Sequence, residues 1–309
     1  MTVDMRKSTC AGSFIWQLPA TLESFKLNAI EAPKVIYKDL PVNLTELVID
    51  VNRAFFPAPR FILPPKLLHL SLRHCFALNY NDFVALPRTL ETFTLSLETA
   101  TYLGRSPPNP PSNSSAALPE SLRALRITRS NFTAEFAEGL PSGLTFLEFI
   151  TTQTLDATAL HSLPPTLTEL IIDTSRTMHD SALEALPASL TKLTVIAGSQ
   201  VGRRVVSLLP RSLLHLAIHN NTYLNDDCVS ELPPNLRTLE LPHNDKLTVA
   251  CASQLPKSLN VLIVFRIIMT FPSPPKAELM SSFPTFLKVY ELPWYTKKNR
   301  KFDLFAMKS

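Results

Sequence analysis

Residues 163–172 read Leu163-Pro164-Pro165-Thr166-Leu167-Thr168-Glu169-Leu170-Ile171-Ile172. Leu170 and Ile172 stand two apart, which on an extended chain puts both side chains on one face. The Leu-Pro pair that opens the stretch recurs along the chain. It begins at Leu18, Leu40, Leu63, Leu86, Leu118, Leu140, Leu163, Leu186, Leu209, Leu232 and Leu255, followed by the variant Phe283-Pro284. Successive intervals are 22, 23, 23, 32, 22, 23, 23, 23, 23, 23 and 28 residues. With the first residue of each pair as position 0, positions +4, +7 and +9 are apolar in all twelve repeats, 36 of 36. Against a 45% hydrophobic background, that agreement has a chance probability on the order of 10⁻¹² before allowing for the choice of register. The period is real.

The other half of each repeat follows a different rhythm. Counting back from the next pair, positions −8, −4, −3 and 0 are apolar, as in Leu155/Ala159/Leu160/Leu163, Met178/Ala182/Leu183/Leu186 and Leu224/Cys228/Val229/Leu232. That spacing marks one face of a short helix. Asp180-Ser181 and Asn225-Asp226-Asp227 sit where a helix N-cap belongs. Proline at +1 disfavours helical geometry in the residue before it, so it ends the helix and redirects the chain into the next strand. One strand and one helical turn cannot bury an apolar face alone, but stacked copies can.

The motif L-x-x-L-x-[LIV]-x-x-[N/C/T/S], with Asn52, Cys75, Thr152, Ser175, Asn221 and Asn244 in its last place, resembles the leucine-rich repeat superfamily over about residues 18–293. The Leu-Pro-x-x-Leu-Thr-x-Leu form at Leu40 and Leu163 is also similar to FNIP-type repeats, although no Phe-Asn-x-Pro segment follows the strand. The resemblance implies an α/β solenoid of about twelve units, curved, with a parallel sheet on the concave face and short helical turns on the convex face. Parallel strands need a crossover, and the short helix supplies one. The expected organisation is an N-terminal cap over 1–17, the solenoid over 18–293 and a basic tail over 294–309. A Pro/Ser-rich loop insertion at 104–115 lengthens the fourth repeat, and another proline-rich segment, Phe271–Lys276, distorts the last junction.

Composition narrows the function. The chain's 309 residues include 27 prolines and 6 glycines, against averages of about 15 and about 22 for this length. No GxGxxG, GxxxxGK[ST] or GxSxG motif occurs. The formal net charge is +4, and Lys297, Lys298, Arg300, Lys301 and Lys308 against Asp303 carry all of it. The remaining 293 residues are balanced, which disfavours a nucleic-acid surface. No apolar run is long enough to cross a bilayer. Four cysteines without a CxxC, and no apolar signal segment, point to a reducing compartment. The Asn-x-Ser/Thr sequons at Asn43, Asn113, Asn131 and Asn220 are then chance matches. A cytoplasmic location is expected, with Lys297–Lys301 similar to a nuclear-import signal. No cofactor is expected, and the solenoid is read as a monomer.

Cys228 and Cys251 share position +19 with Ala159, Ala182 and Val205, so they read as small buried thiols. Cys75 reads as a loop residue, and His74 beside it makes no catalytic dyad. His215, His219, Glu240 and His243 gather near one end of the inner face, but His-x-x-x-His on a strand separates its rings by roughly 13 Å, too far for one ion. No catalytic constellation emerges. The inner sheet exposes +6, +8 and +10, and there Phe146, Ile150, Ile171 and Ile196 are apolar. Glu148, Glu169 and Asp173 lie among them, flanked by Arg126 and Lys192. An apolar centre in a charged surround is the anatomy of a protein interface. The expected function is a non-catalytic protein-interaction scaffold, binding a basic and apolar partner surface on the concave face. The alternative is the substrate-recognition subunit of a ubiquitin ligase, which normally carries an F-box for which the seventeen residues before Leu18 are too few.

Overall fold

Each described Leu-Pro pair opens the same turn. In eleven repeats the +4 leucine N–H donates to the carbonyl of the +1 proline, at 2.9–3.2 Å. Proline suits this place, because its fixed φ leads into the turn and the missing N–H is not called upon. The carbonyl at +5 then accepts the N–H groups of both +5 and +6 in the next repeat. Glu23 takes Thr45 and Glu46 at 2.8 and 3.0 Å, and Thr145 takes Thr168 and Glu169 at 2.9 and 3.0 Å. From that fork the chain runs on as a parallel strand.

The computed structural model describes residues 1–5, 18–29, 40–54, 62–75, 85–97, 118–128, 134–150, 157–173, 183–196, 201–221, 223–242, 244, 246–264 and 288–291. The chain divides into two compact units, Met1–Ile196 and Ala197–Ser309. The N-terminal unit holds β1 (Thr2–Met5), β2 (Ser24–Ala29), β3 (Glu46–Ala54), β4 (His69–Cys75), β5 (Thr92–Leu97), β6 (Ala124–Thr128), β7 (Phe146–Ile150), β8 (Glu169–Asp173) and β9 (Lys192–Ile196). Each pairs in parallel with the next. The C-terminal unit holds β10 (His215–Ile218), β11 (Thr238–Leu241), β12 (Val261–Val264) and β13 (Lys288–Glu291), also parallel in sequence order. The parallel solenoid anticipated from the period is thus the observed architecture. The expectation of twelve complete turns extends over residues outside the described set.

Most strand partners are offset by 23 residues, for example Glu169 with Lys192 and Thr238 with Val261. Between β5 and β6 the offset is 32, yet Phe93 still meets Leu125 and Leu95 meets Ile127. The long fourth repeat therefore enters outside the strand register. Residues 104–115 themselves, and the tail 294–309, lie outside the described residues.

Among the described residues the helical segments are short: α1 (Ala134–Glu138), α2 (Ala157–His161), α3 (Arg203–Leu208) and α4 (Asp226–Val229), with a 3-10 turn at Val249–Ser253. Their apolar positions join the leucine columns. From the second repeat to the eleventh, positions 0, +4, +7 and +9 are all buried, along with Val201, Val205, Val206, Leu224 and Val229. In the first repeat Phe25 and Leu27 are buried, while Leu18 and Leu22 are only half-buried.

Two polar columns join adjacent turns. At +3, a hydroxyl donates toward main-chain carbonyls of the repeat before it. Thr166 Oγ1 lies 2.6 Å from the Ser142 carbonyl and 2.9 Å from that of Leu144. Thr89, Ser121 and Ser258 repeat the geometry, and Ser189 bonds the Leu167 carbonyl at 2.7 Å. Gly143 leaves this place empty in the sixth repeat. Arg123 fills it, its Nη1 donating to the Glu120 carbonyl at 3.2 Å. At +12 the two buried polar residues are Asn221 and Asn244. Asn244, 1% exposed, donates to the Leu224 carbonyl at 2.7 Å and accepts from the N–H groups of Lys246 and Leu247. Asn221 does the same for Val201, Tyr223 and Leu224. The side chains at Asn52, Cys75, Thr152 and Ser175 fall outside those described.

Residues 2–5, within the expected cap, form a parallel strand beside β2. Two expectations change. Asn225 occupies the α4 N-cap with extended backbone, but its side chain makes no capping bond. Its Oδ1 accepts from the Cys228 thiol at 3.1 Å instead. In the last repeat Val289, not Tyr290, pairs with Leu262. The Phe283-Pro284 pair therefore runs one residue out of phase with its strand, and a one-residue slip exchanges the two faces.

Candidate interaction face

The open face of β6–β9 is built from positions +6, +8 and +10, which alternate with the buried leucines. Strand pairing lines up three rows. The first is Ala124, Phe146, Glu169, Lys192; the second is Arg126, Glu148, Ile171, Thr194; the third is Thr128, Ile150, Asp173, Ile196. All nine residues expected in the interface thus lie on one face of one compact unit.

Their environment differs from the expectation in two respects. Phe146, Ile150, Ile171 and Ile196 are half-buried rather than exposed, because flanking strands about 4.8 Å away cover their sides. Arg126 and Lys192 are not free flanking charges. Arg126 Nε donates to Glu148 Oε2 at 3.1 Å, and Lys192 Nζ lies 2.7 Å from Glu169 Oε1. The Arg126 guanidinium also stacks over the Phe146 ring, 4.3 Å from its centre, a favourable cation–π arrangement.

Toward β2 the same face is polar. Glu46 accepts from Lys26 Nζ at 2.7 Å and from Ser24 Oγ at 2.7 Å. The Lys26 bond first, then that from Ser24, holds its carboxyl below the usual carboxylate range. Arg73 lies 3.9 Å from Asp50, and His69 Nδ1 is 2.9 Å from Thr92 Oγ1. Thr128 donates to Ser96 at 2.9 Å. Such exposed pairs fix side-chain direction more than they stabilise.

Of the remaining candidates, the two described cysteines pack in the core. Cys228 and Cys251 are buried free thiols. Burial pushes the Cys251 thiol up to about 12, and it raises that of Cys228 as well. His215, Ala217 with Glu240, and His219 fall at successive +6, +8 and +10 places, and His243 lies outside the described residues. Among the described residues, no three His, Cys, Asp or Glu side chains gather to hold a metal ion. Among them also, no helix is long and apolar enough to cross a membrane. The +3 column is also present in the sequence: Thr21, Thr89, Ser121, Thr166, Ser189, Ser212 and Ser258 carry hydroxyls there, and Asn43 and Asn235 carry amides.

No protein-family model and no curated protein matches the chain. Solved structures do. An internalin (inlF) from Listeria monocytogenes is 16% identical with a TM-score of 0.53, over 89% of this chain and 81% of that one. The circular leucine-rich repeat protein CroV588 is 19% identical with a TM-score of 0.45, over 89% of this chain, which spans 44% of its length. At such identity the internalin likeness concerns the fold alone. Taken with the parallel 23-residue ladder and the buried asparagine column, it establishes that this chain folds as a leucine-rich repeat solenoid.

Proposed function

We propose that this chain is a non-catalytic scaffold that takes a protein partner on the open sheet face of β6–β9. The observation that carries the reading is the grouping of Phe146, Ile150, Ile171 and Ile196 on three aligned rows of one sheet face. Strand propensity alone also favours β-branched residues, but it does not require them on the wet side of three neighbouring strands. The equivalent places on β2 and β3 carry Lys26, Asn28, Glu46 and Asp50. An open, hydrogen-bonded sheet face offers area without enclosing a small molecule, which suits a protein surface better than a substrate. No observation favours the ubiquitin-ligase adaptor.

The test is a double substitution, Phe146→Ser with Ile171→Ser, compared with the parent chain in capture from lysate. Specific capture should be lost while the melting temperature stays within about 5 °C, since no core column changes. Undiminished capture of the same proteins by the variant would place the site elsewhere.

A further inference from the structure

Along the seam between β7 and β8 the open face is a checkerboard. Strand β7 presents Phe146, Glu148 and Ile150, and β8 presents Glu169, Ile171 and Asp173 in register with them. Every carboxylate there stands opposite an apolar side chain. The cations come from the flanking strands, Arg126 on β6 and Lys192 on β9. Each reaches one carboxylate oxygen: Arg126 Nε lies 3.1 Å from Glu148 Oε2, and Lys192 Nζ lies 2.7 Å from Glu169 Oε1. The second oxygen of each, Glu148 Oε1 and Glu169 Oε2, stays open to a further donor. The glutamates also lie deeper than their cations, with 22% and 28% of the side-chain surface exposed against 45% and 42%. Asp173 is engaged elsewhere within the chain, so Glu148 and Glu169 are the acceptors in question. Among the described residues, the face of β6–β9 sets three carboxylates against two cations.

Resting on the open-face reading above, we infer that the partner anchors on this seam through an arginine or lysine. Its stem lies on Phe146 and Ile171, and its charged head lies at Glu148 and Glu169. Both halves of such a side chain find a match. The methylenes leave water against the apolar places, and the N–H donors reach the open oxygens without displacing Arg126 or Lys192. An uncharged side chain would take water from the glutamates and offer no donor in exchange. An anion would meet Arg126 and Lys192 beside the carboxylates they already hold, adding a fourth acid to the face. The basic and apolar partner surface expected from sequence is thereby narrowed to one anchor on one seam.

The probe is a random peptide library displayed on phage and panned against the full chain. The tightest enriched peptide is synthesised with a fluorophore, together with versions in which each Arg or Lys is replaced by norleucine. That replacement keeps the stem and removes the charge. All are titrated against the parent, Glu148→Gln/Glu169→Gln, Arg126→Gln/Lys192→Gln, and Phe146→Ser/Ile171→Ser. Expected is a peptide whose Kd rises about tenfold or more with norleucine at one basic place. Its Kd should also rise at least about threefold between about 50 and about 500 mM NaCl. Binding should weaken about fivefold or more in the Glu148/Glu169 and Phe146/Ile171 variants. It should tighten about threefold in the Arg126/Lys192 variant, where the carboxylates lose their internal competitors. A peptide indifferent to norleucine yet lost in the Phe146/Ile171 variant would overturn this inference and leave the open-face reading standing. So would an acidic peptide lost in the Arg126/Lys192 variant. A peptide that binds all three variants undiminished, or a library from which nothing is enriched, would overturn both. Where circular dichroism shows a variant unfolded, the norleucine comparison on the parent chain decides.

Discussion

The Asn244 side chain makes its hydrogen bonds out of water. Its amide donates to the Leu224 carbonyl, and its oxygen accepts from two main-chain N–H groups. Asn244→Ala leaves those groups unpaired and should cost about 2–3 kcal/mol in urea denaturation. Asn235, at an exposed +3 place with a single bond of 3.4 Å, should cost no more than about 0.5 kcal/mol when changed to Ala. Equal costs would remove burial as the reason asparagine matters at +12. Gly143 makes the converse case. Its φ lies outside the left-handed region, and an added Cβ would meet only the flexible guanidinium end of Arg123. A serine there would bring the hydroxyl that other repeats use at +3. Gly143→Ser should stabilise by about 0.5–1 kcal/mol, from a less flexible unfolded chain and a restored bond. A loss in thermal denaturation would show that Arg123 is needed where it stands. Both columns are legible in sequence, but only asparagine stands out, because serine and threonine at +3 look like ordinary surface residues until their carbonyl partners are placed.

At the scale of the strand and its turn, the apolar period was sufficient. Leu170 and Leu216 are buried on β8 and β10, and truncating either to Ala should cost roughly 2–5 kcal/mol. Thr168 precedes the same β8 strand, with its hydroxyl on the Thr145 carbonyl at 3.0 Å. Thr168→Ala should therefore cost only about 0.5–1 kcal/mol, and comparable losses at all three positions in chemical denaturation would sink the register. The helical halves were read less well. Segments of four to six residues are too short to hold themselves by capping, so packing decides their geometry. Asn225 shows this, since its side chain serves the Cys228 thiol and not the helix end. The last strand failed for a related reason. With a 28-residue spacing and Phe in place of Leu, phase had to be extrapolated, and the pairing of Val289 with Leu262 settled it one residue away.

For the whole molecule, the buried thiols offer a probe of opening. In a Cys10→Ser, Cys75→Ser background, Cys228 and Cys251 should react with a disulfide reagent at neutral pH roughly a hundredfold more slowly when native than in denaturant. Burial withholds both the sulfur and its thiolate form, with the Cys251 thiol pushed up to about 12. Fast labelling of the native chain would mean that the columns are open at +19. The sequence by itself determined the solenoid, the parallel strands and the face on which each leucine lies. It could do so because burial repeats with the chain's own period, and one register serves the turns from β2 to β9 and from β10 to β12. It also placed nine residues of a candidate face together, since positions +6, +8 and +10 must share a side. Only the tertiary structure decided what that face is electrically. The partners of Glu148 and Glu169 are Arg126 and Lys192, 22 and 23 residues away. Which neighbour a carboxylate leans toward depends on competition between two adjacent strands, and no spacing along one strand contains it.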